Sequence, residues 1–196
     1  NSNQFTYIAD VYLEEEQVSA SGIICHNALN HDVVLQTSGG TSGEIGTGFP
    51  GGSITGSYAH NEYQRIVSTY DGSTLSLYID GELINSTSVS YSINWDSGYE
   101  SNTLGWRWTS HSNTAMNGKM KEASIWSRSL DSSEINNLSE SLSDKDGLEA
   151  WYRFNEGSGN IVYDHSGNGN HGMIYGGSWL EDTYGCKYDL EACNYD

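Results

Sequence analysis

The chain has 196 residues, of which 26 are acidic and only 8 are lysine or arginine, so its formal charge at pH 7 is −18. Nucleic acids and anionic membrane surfaces are bound by clustered cations, and this charge balance argues against both kinds of partner. A hydrophobic content of 36%, with 23 glycines against one proline, predicts a folded all-β domain in which tight turns join short strands.

The first predicted strand begins at Phe5, where hydrophobic and polar residues alternate as far as Leu13. Residues 22–26 and 32–37 predict two further short strands. Residues 38–57 are rich in glycine, serine and threonine, and this composition predicts loops or weak edge strands.

Three strand-like runs follow, at residues 63–70, 75–79 and 83–89. They are separated by Asp71-Gly72 and Asp80-Gly81, dipeptides that accept the positive φ angles of tight hairpin turns. The pattern predicts an antiparallel meander.

The chain then becomes polar and aromatic over residues 91–117, and strand character resumes at residues 119–126. Asp131 and Glu134 have the spacing of a capping box. This spacing predicts a short surface helix near residues 131–140.

Residues 148–154 alternate as one more strand, and many short strands with closely spaced turns favour an antiparallel β-sandwich. No apolar run reaches the roughly 18 residues of a membrane span, and residues 1–20 lack the basic start and apolar middle of a signal peptide. Because the chain opens inside a predicted strand, we expect it to be a mature or excised fragment.

Two ordered segments carry a resemblance to one protein family. Residues 63–81 are similar to the central hairpin of laminin G-like, concanavalin A-like jelly-roll domains, and residues 117–130 are similar to their closing strand. The capped helix follows this strand, as it does in the family. Lys121 departs from the family pattern, which usually has an acidic residue there. The resemblance implies a jelly-roll sandwich that recognises its ligand with rim loops.

A third segment, residues 147–179, resembles the opening segment of such a domain but stands at the far end of this chain. It could close the same sheet as a circular permutation, begin a following module, or insert into a neighbouring subunit by strand addition. We therefore divide the chain into a sandwich over residues 1–182 and a Cys-containing acidic tail over residues 183–196.

The cysteines bear on the compartment of the protein. Cys186 and Cys193 enclose a short loop, which suits a disulfide better than a zinc site that lacks further ligands. The tail also resembles short Cys-containing repeats of large secreted or virion proteins. Cys25 lies in an apolar stretch and is interpreted as a buried free thiol. Together these features favour an extracellular, cell-surface or virion-surface location.

A candidate calcium loop begins at Asp164, where acidic and polar side chains alternate up to Gly169. Calcium prefers several hard oxygens on a tightly curved backbone, and this spacing begins such a loop without completing an EF-hand. The alternative is a turn in which the side chains bond their own backbone. The expected ligands of a structural calcium ion are Asp164, Ser166, Asn168, Asn170, His171 and Glu122.

A candidate ligand surface lies in the polar and aromatic segment. Sugars are bound by aromatic faces that stack on their C–H groups, while amides, carboxylates and guanidinium groups bond their hydroxyls. The alternative is that the aromatic residues, above all Trp106 and Trp108, fill the core or cover a sheet face. The expected ligand-binding residues are Trp95, Asp96, Tyr99, Asn102, Arg107 and His111.

The sequence does not favour an enzyme. Glycoside cleavage needs two carboxylates across the scissile bond, and no predicted central strand carries such a pair. Histidine spacing for a catalytic metal and a G-x-S-x-G serine elbow are also missing from the sequence. We therefore predict a calcium-stabilised, non-catalytic module for adhesion or for binding a glycan or cell-surface polysaccharide. The alternative is a structural subunit of a fibre, capsid decoration or surface assembly that exchanges strands with other copies of itself or with neighbouring modules.

Overall fold

The structure is a computed structural model whose described part comprises most of the chain. The described residues are 3–17, 20–27, 33–38, 42–93, 95, 101–106, 114–138 and 144–180.

Two antiparallel sheets form a sandwich, and the larger one contains both the first strand and the last long strand of the described chain. Its strand order is β11-β10-β1-β6-β7-β8. The strands are β1 (Phe5–Leu13), β6 (Tyr63–Tyr70), β7 (Thr74–Ile79), β8 (Glu82–Ser88), β10 (Gly118–Trp126) and β11 (Leu148–Tyr152).

The second sheet has five strands in the order β5-β4-β3-β2-β9. Residues 38–57, which predicted loops or weak edge strands, form an internal strand and an edge strand. The polar and aromatic segment contains a strand that the alternation pattern did not predict. The strands are β2 (Gly22–Asn27), β3 (Val33–Thr37), β4 (Glu44–Phe49), β5 (Gly52–Ser57) and β9 (Ser101–Leu104).

The core lies between the inner faces of the two sheets. The alternation of β1 turns its odd-numbered side chains from Phe5 to Leu13 into this core, and each of them is almost fully buried. Ile24 and Leu35 oppose them from the second sheet. The predicted fold class, an antiparallel all-β sandwich, is thereby confirmed.

A second apolar cluster covers the outer face of the six-stranded sheet. It packs Ile8 and Val67 against Trp126, Trp151 and the short helix that follows β10. This helix, α1 (Ser132–Asn137), buries Ile135 in the cluster. No helix in the described ranges is long and apolar enough to cross a membrane.

The local signals of the sequence are confirmed at the turns and at the helix cap. Asp80 and Gly81 both have positive φ, at 50° and 82°, as a tight hairpin turn between β7 and β8 requires. Asp131 accepts a hydrogen bond from the Glu134 backbone N–H at 2.9 Å, and the Glu134 carboxylate accepts one from the Asp131 N–H at 2.8 Å. These two bonds complete the capping box.

The C-terminal segment packs on the sandwich of its own chain. β11 pairs with β10 in antiparallel register, and a small hairpin of β12 (Ile161–Val162) and β13 (Gly172–Met173) follows. Val162 joins the main core. β11 thereby extends the six-stranded sheet of its own chain.

One buried polar contact joins the two sheets. The hydroxyl oxygens of Thr47 on β4 and Ser68 on β6 lie 2.5 Å apart, and both residues are almost fully buried. Each hydroxyl is the hydrogen-bond partner of the other inside an apolar core. Removing one of them leaves the other buried and unpaired, so it should destabilise the fold more than removing both.

We expect Ser68→Ala to lower the free energy of unfolding by about 1–2 kcal/mol, because it leaves the Thr47 hydroxyl without a partner. The double variant Thr47→Val, Ser68→Ala should recover most of this loss. Urea unfolding of the two single variants and the double variant measures the coupling. Additive losses would contradict the proposed dependence.

Candidate functional site

One end of the sandwich gathers an aromatic ring, an imidazole and an amide. The indole of Trp95 lies edge-on to Phe5 at the start of β1, with ring centroids 6.3 Å apart. The imidazole of His26, near the end of β2, lies 5.1 Å from the same indole. His26 Nδ1 is 2.9 Å from the Oδ1 of Asn102, which is on β9. We call Trp95, His26 and Asn102 the rim site.

The hydrogen bond to Asn102 determines what His26 can offer. With the amide oxygen as acceptor, Nδ1 of a neutral imidazole carries the proton and Nε2 carries the lone pair. His26 is only 5% exposed, and its Nε2 is buried without a hydrogen-bond partner. Buried polar atoms are usually paired, and His26 Nε2 is one of a few in the described residues that are not.

Asn102 provides the complementary donor. It is exposed, and its carbonyl oxygen is engaged by His26. Its amide N–H groups make no hydrogen bond within the described residues. The rim site therefore combines an aromatic ring with a donor and an acceptor.

The backbone that leads to Trp95 is held by two side chains that the sequence did not single out. The Tyr70 hydroxyl donates to the carbonyl oxygens of Val89 and Tyr91, at 3.2 and 2.9 Å. Asn3 donates to the same Tyr91 carbonyl at 3.1 Å and accepts from the Ile93 N–H at 2.8 Å. These bonds bring residues 89–93 against the end of β1 and so place Trp95.

Of the six side chains expected to bind a ligand, Trp95 and Asn102 come together, with His26 between them. His26 was missed because a histidine in an apolar strand gives no sequence signal of its own. Trp106 is half-buried and forms a β-bridge with Ala115. The other expected ligand-binding residues, together with the two tail cysteines and Trp108, lie outside the described residues; they are Asp96, Tyr99, Trp108, Arg107, His111, Cys186 and Cys193. Cys25 is buried, as expected.

The candidate calcium loop is organised around the buried carboxylate of Asp164. Its Oδ1 accepts hydrogen bonds from the backbone N–H groups of Trp151 and Ser166, at 2.9 and 2.8 Å. Its Oδ2 accepts from the Ser166 hydroxyl at 2.7 Å and from the Asn170 N–H at 3.0 Å. All four bonds come from the chain itself.

The other side chains of the loop also bond the protein. The side-chain amides of Asn168 and Asn170 donate to the Glu149 carbonyl oxygen on β11, at 3.1 and 2.8 Å. His171 Nδ1 accepts from the Asp164 N–H at 3.0 Å. These bonds fasten the loop along the outer edge of β11.

This arrangement does not fit the expected calcium ligands as they stand. The Asp164 oxygens are each occupied by two donors, and the oxygen of Glu122 accepts a 2.6 Å hydrogen bond from the Trp151 indole N–H. In the described part of the chain, no cluster of three or more His, Cys, Asp or Glu side chains could hold a metal ion. Calcium binding stays a prediction, and its coordination would have to replace several of these hydrogen bonds.

If a structural calcium ion replaces these hydrogen bonds, as the sequence predicts, we expect the melting temperature to be higher in millimolar calcium chloride than in EDTA. Differential scanning calorimetry in the two buffers tests this. An unchanged melting temperature would contradict the calcium site and indicate that the hydrogen bonds alone close the loop.

The same hydrogen bonds lower the pKa of the Asp164 carboxyl group. Burial raises the pKa of its carboxyl group, but the bonds from Ser166, Trp151 and Asn170 outweigh burial and hold the pKa below its usual value. A carboxyl whose pKa is lower in the folded state stabilises the fold above its unfolded pKa of about 3.9. That stabilisation is lost as the pH falls from there through the folded pKa.

We expect Asp164→Asn to lower the free energy of unfolding at pH 7 by about 2–4 kcal/mol, because an amide N–H₂ would face two donors. The stability of this variant should also depend less on pH below about pH 4. Urea unfolding across this pH range measures both effects. Glu149→Gln, which removes an exposed carboxylate from β11, is the matched control. Equal losses in the two variants would contradict the assigned role.

We compared the sequence and the fold with those of known proteins. Residues 1–136 match the family model of the concanavalin A-like lectin/glucanases superfamily. A search of curated protein sequences gives no match.

Solved structures share the fold at low sequence identity. A Bacteroides ovatus protein, provisionally assigned as carbohydrate-binding, matches with a TM-score of 0.73 and 16% identity, over 88% of this chain and 52% of its own. This chain thus spans about half the length of that protein. The CBM40 of Ruminococcus gnavus IT-sialidase, bound to α2,3-sialyllactose, matches with a TM-score of 0.57 and 14% identity, over 69% and 82% of the two chains.

A mutant of NanB sialidase from Streptococcus pneumoniae matches with a TM-score of 0.58 and 15% identity, over 74% of this chain and 25% of that enzyme. Identity at this level shows a common fold.

Proposed function

Because the chain belongs to the concanavalin A-like lectin/glucanases superfamily, we propose that it is a non-catalytic carbohydrate-binding module. The observation that carries this proposal is the rim site, where Trp95 lies beside the ring of His26 and His26 is hydrogen-bonded to the exposed Asn102. The carbohydrate-binding neighbours of similar fold support it.

Binding would combine stacking with directed hydrogen bonds. The C–H-rich face of a sugar ring packs on the indole of Trp95, while Asn102 donates to a hydroxyl oxygen. His26 Nε2 can accept from a hydroxyl once the ligand or a local side-chain movement opens it. The sandwich keeps the three side chains in place because each is attached to a paired strand or to the bonded segment 89–93.

Among the described residues, the rim site contains no pair of carboxylates. The described neighbours of Trp95 and Asn102 are aromatic residues and a histidine, whereas glycoside cleavage uses two carboxylates across the scissile bond. Recognition without catalysis suits an adhesion module on a cell or virion surface, and we propose that setting. Since β11 pairs within its own chain, no observation favours the alternative of a subunit that exchanges strands.

A glycan array probed with the whole chain tests the proposal, and we expect binding to a defined subset of glycans. Trp95→Ala should weaken that binding by roughly tenfold or more, because the stacking surface is lost. Asn102→Ala removes the amide donors of the same site. Because Asn102 is exposed, this substitution should disturb folding less than Trp95→Ala does.

Tyr175→Ala is the matched control, since this tyrosine is 75% exposed on the β13 side of the molecule. A blank array, or binding that neither rim variant changes, would overturn the proposed function.

A further inference from the structure

The few cations of this acidic chain are concentrated on one side of the molecule. Every lysine and arginine in the described ranges lies on or beside the outer face of the six-stranded sheet. These cations are Arg65, Lys119, Lys121, Arg128, Lys145 and Arg153. In a chain with a formal charge of −18, such segregation makes this face electrostatically distinct.

Two tyrosines lie among these cations. Tyr12 on β1 is opposite Tyr63 on β6 and opposite Lys119 on β10. Because its neighbours Val11 and Leu13 face the core, Tyr12 faces outward. The rings of Tyr12 and Tyr63 are 5.6 Å apart and inclined at 62°, and Lys119 Nζ is 4.5 Å from the Tyr12 ring centre. Tyr63 is 51% exposed, which leaves a broad aromatic surface in solvent.

A β-bulge adds a second lysine to this surface. In the pairing of β1 with β10, Asp10 is opposite Glu122 and Val11 is opposite Met120, which leaves Lys121 as the extra residue. Bulges of this kind re-aim a side chain. Lys121 is exposed. We call Tyr12, Tyr63, Lys119 and Lys121 the tyrosine–lysine patch.

Two carboxylates on the same face, Asp10 and Glu122, are already engaged. Asp10 accepts two hydrogen bonds from Arg65, from Nε and Nη2, both at 2.7 Å. Glu122 accepts from the Trp151 indole N–H at 2.6 Å. By contrast, Lys119 and Lys121 form no ion pair within the described part of the chain. The patch therefore offers positive charge that no carboxylate of the described chain neutralises by direct contact.

We propose that the tyrosine–lysine patch binds a saccharide that carries a carboxylate or a sulfate group. The sugar ring stacks on Tyr63, and the acidic group is held by charge-assisted hydrogen bonds from Lys119 and Lys121. A neutral sugar would use the tyrosine face and leave the two ammonium groups in water.

This patch is separate from the rim site. Phe5, beside Trp95, and Tyr12 are at opposite ends of β1, and seven residues of extended strand span about 23 Å. The patch therefore extends the proposed function with a second ligand class and does not depend on the rim site.

Three saccharides with a common core test the proposal on the whole chain. They are lactose, lactose 3′-sulfate and α2,3-sialyllactose, so that the neutral core, a sulfate and a carboxylate are compared directly. By calorimetric or NMR titration, we expect at least one acidic probe to bind about tenfold more tightly than lactose. Raising the salt concentration from about 50 to about 500 mM should weaken that binding, because Lys121 is exposed and Lys119 is only partly buried, so both charges are screened by salt.

Single and double substitutions test whether the acidic probe binds at the tyrosine–lysine patch. Lys119→Gln with Lys121→Gln should abolish the preference for the acidic probe, whereas Lys119→Arg should keep it. Tyr63→Ala should weaken all binding to the patch, with Tyr175→Ala as the matched control. Trp95→Ala should weaken binding at the rim site without removing the preference for the acidic probe that the two lysines confer.

Three results would overturn the proposal. They are equal affinity for the three probes, an acidic preference that survives loss of both lysines, and an acidic preference that disappears in Trp95→Ala. The proposed function can hold in each case, since the array experiment reports on it separately.

Discussion

The pairing of β1 with both β6 and β10 is the constraint on which the rest of the structure depends. Its inward residues fill the centre of the core, and it pairs with β6 in continuous register and with β10 in a register interrupted by one β-bulge. A slip of one residue would turn the whole inward row to solvent, so the hydrophobic pattern determines the register. The same strand then orients both candidate surfaces, with Phe5 beside Trp95 at one end and Tyr12 beside Tyr63 at the other.

The features that the sequence predicted well are those that depend on neighbours in the chain. The alternation from Phe5 to Leu13, the turn at Asp80-Gly81 and the cap at Asp131 each follow a local rule, and the structure obeys all three. β9 has no such local signal. Its sequence is polar, and it forms a strand through pairing with β2. The two strands in the glycine-rich stretch depend on pairing in the same way.

The candidate sites were harder to predict for the same physical reason. Trp95 and Asn102 were expected in one ligand surface, but the residue that joins them, His26, comes from a strand far away in the chain. The spacing around Asp164 indicated a metal, whereas its oxygens accept hydrogen bonds from β11 and from the loop itself. The sequence shows which side-chain oxygens lie close together in the chain. Only the fold shows which hydrogen-bond donors contact those oxygens.

The loop around Asp164 also determines how the larger sheet ends. The backbone N–H of Trp151 donates to Asp164, and its carbonyl oxygen accepts from the His165 N–H at 2.7 Å. At this position the outer edge of β11 has no free backbone group that could pair with another strand. The opposite edge, β8, is a long exposed strand that carries Leu83 and Ile84 at the surface. The six-stranded sheet therefore ends on one side in a strand whose edge the loop covers at Trp151, and on the other side in a strand that is mostly exposed.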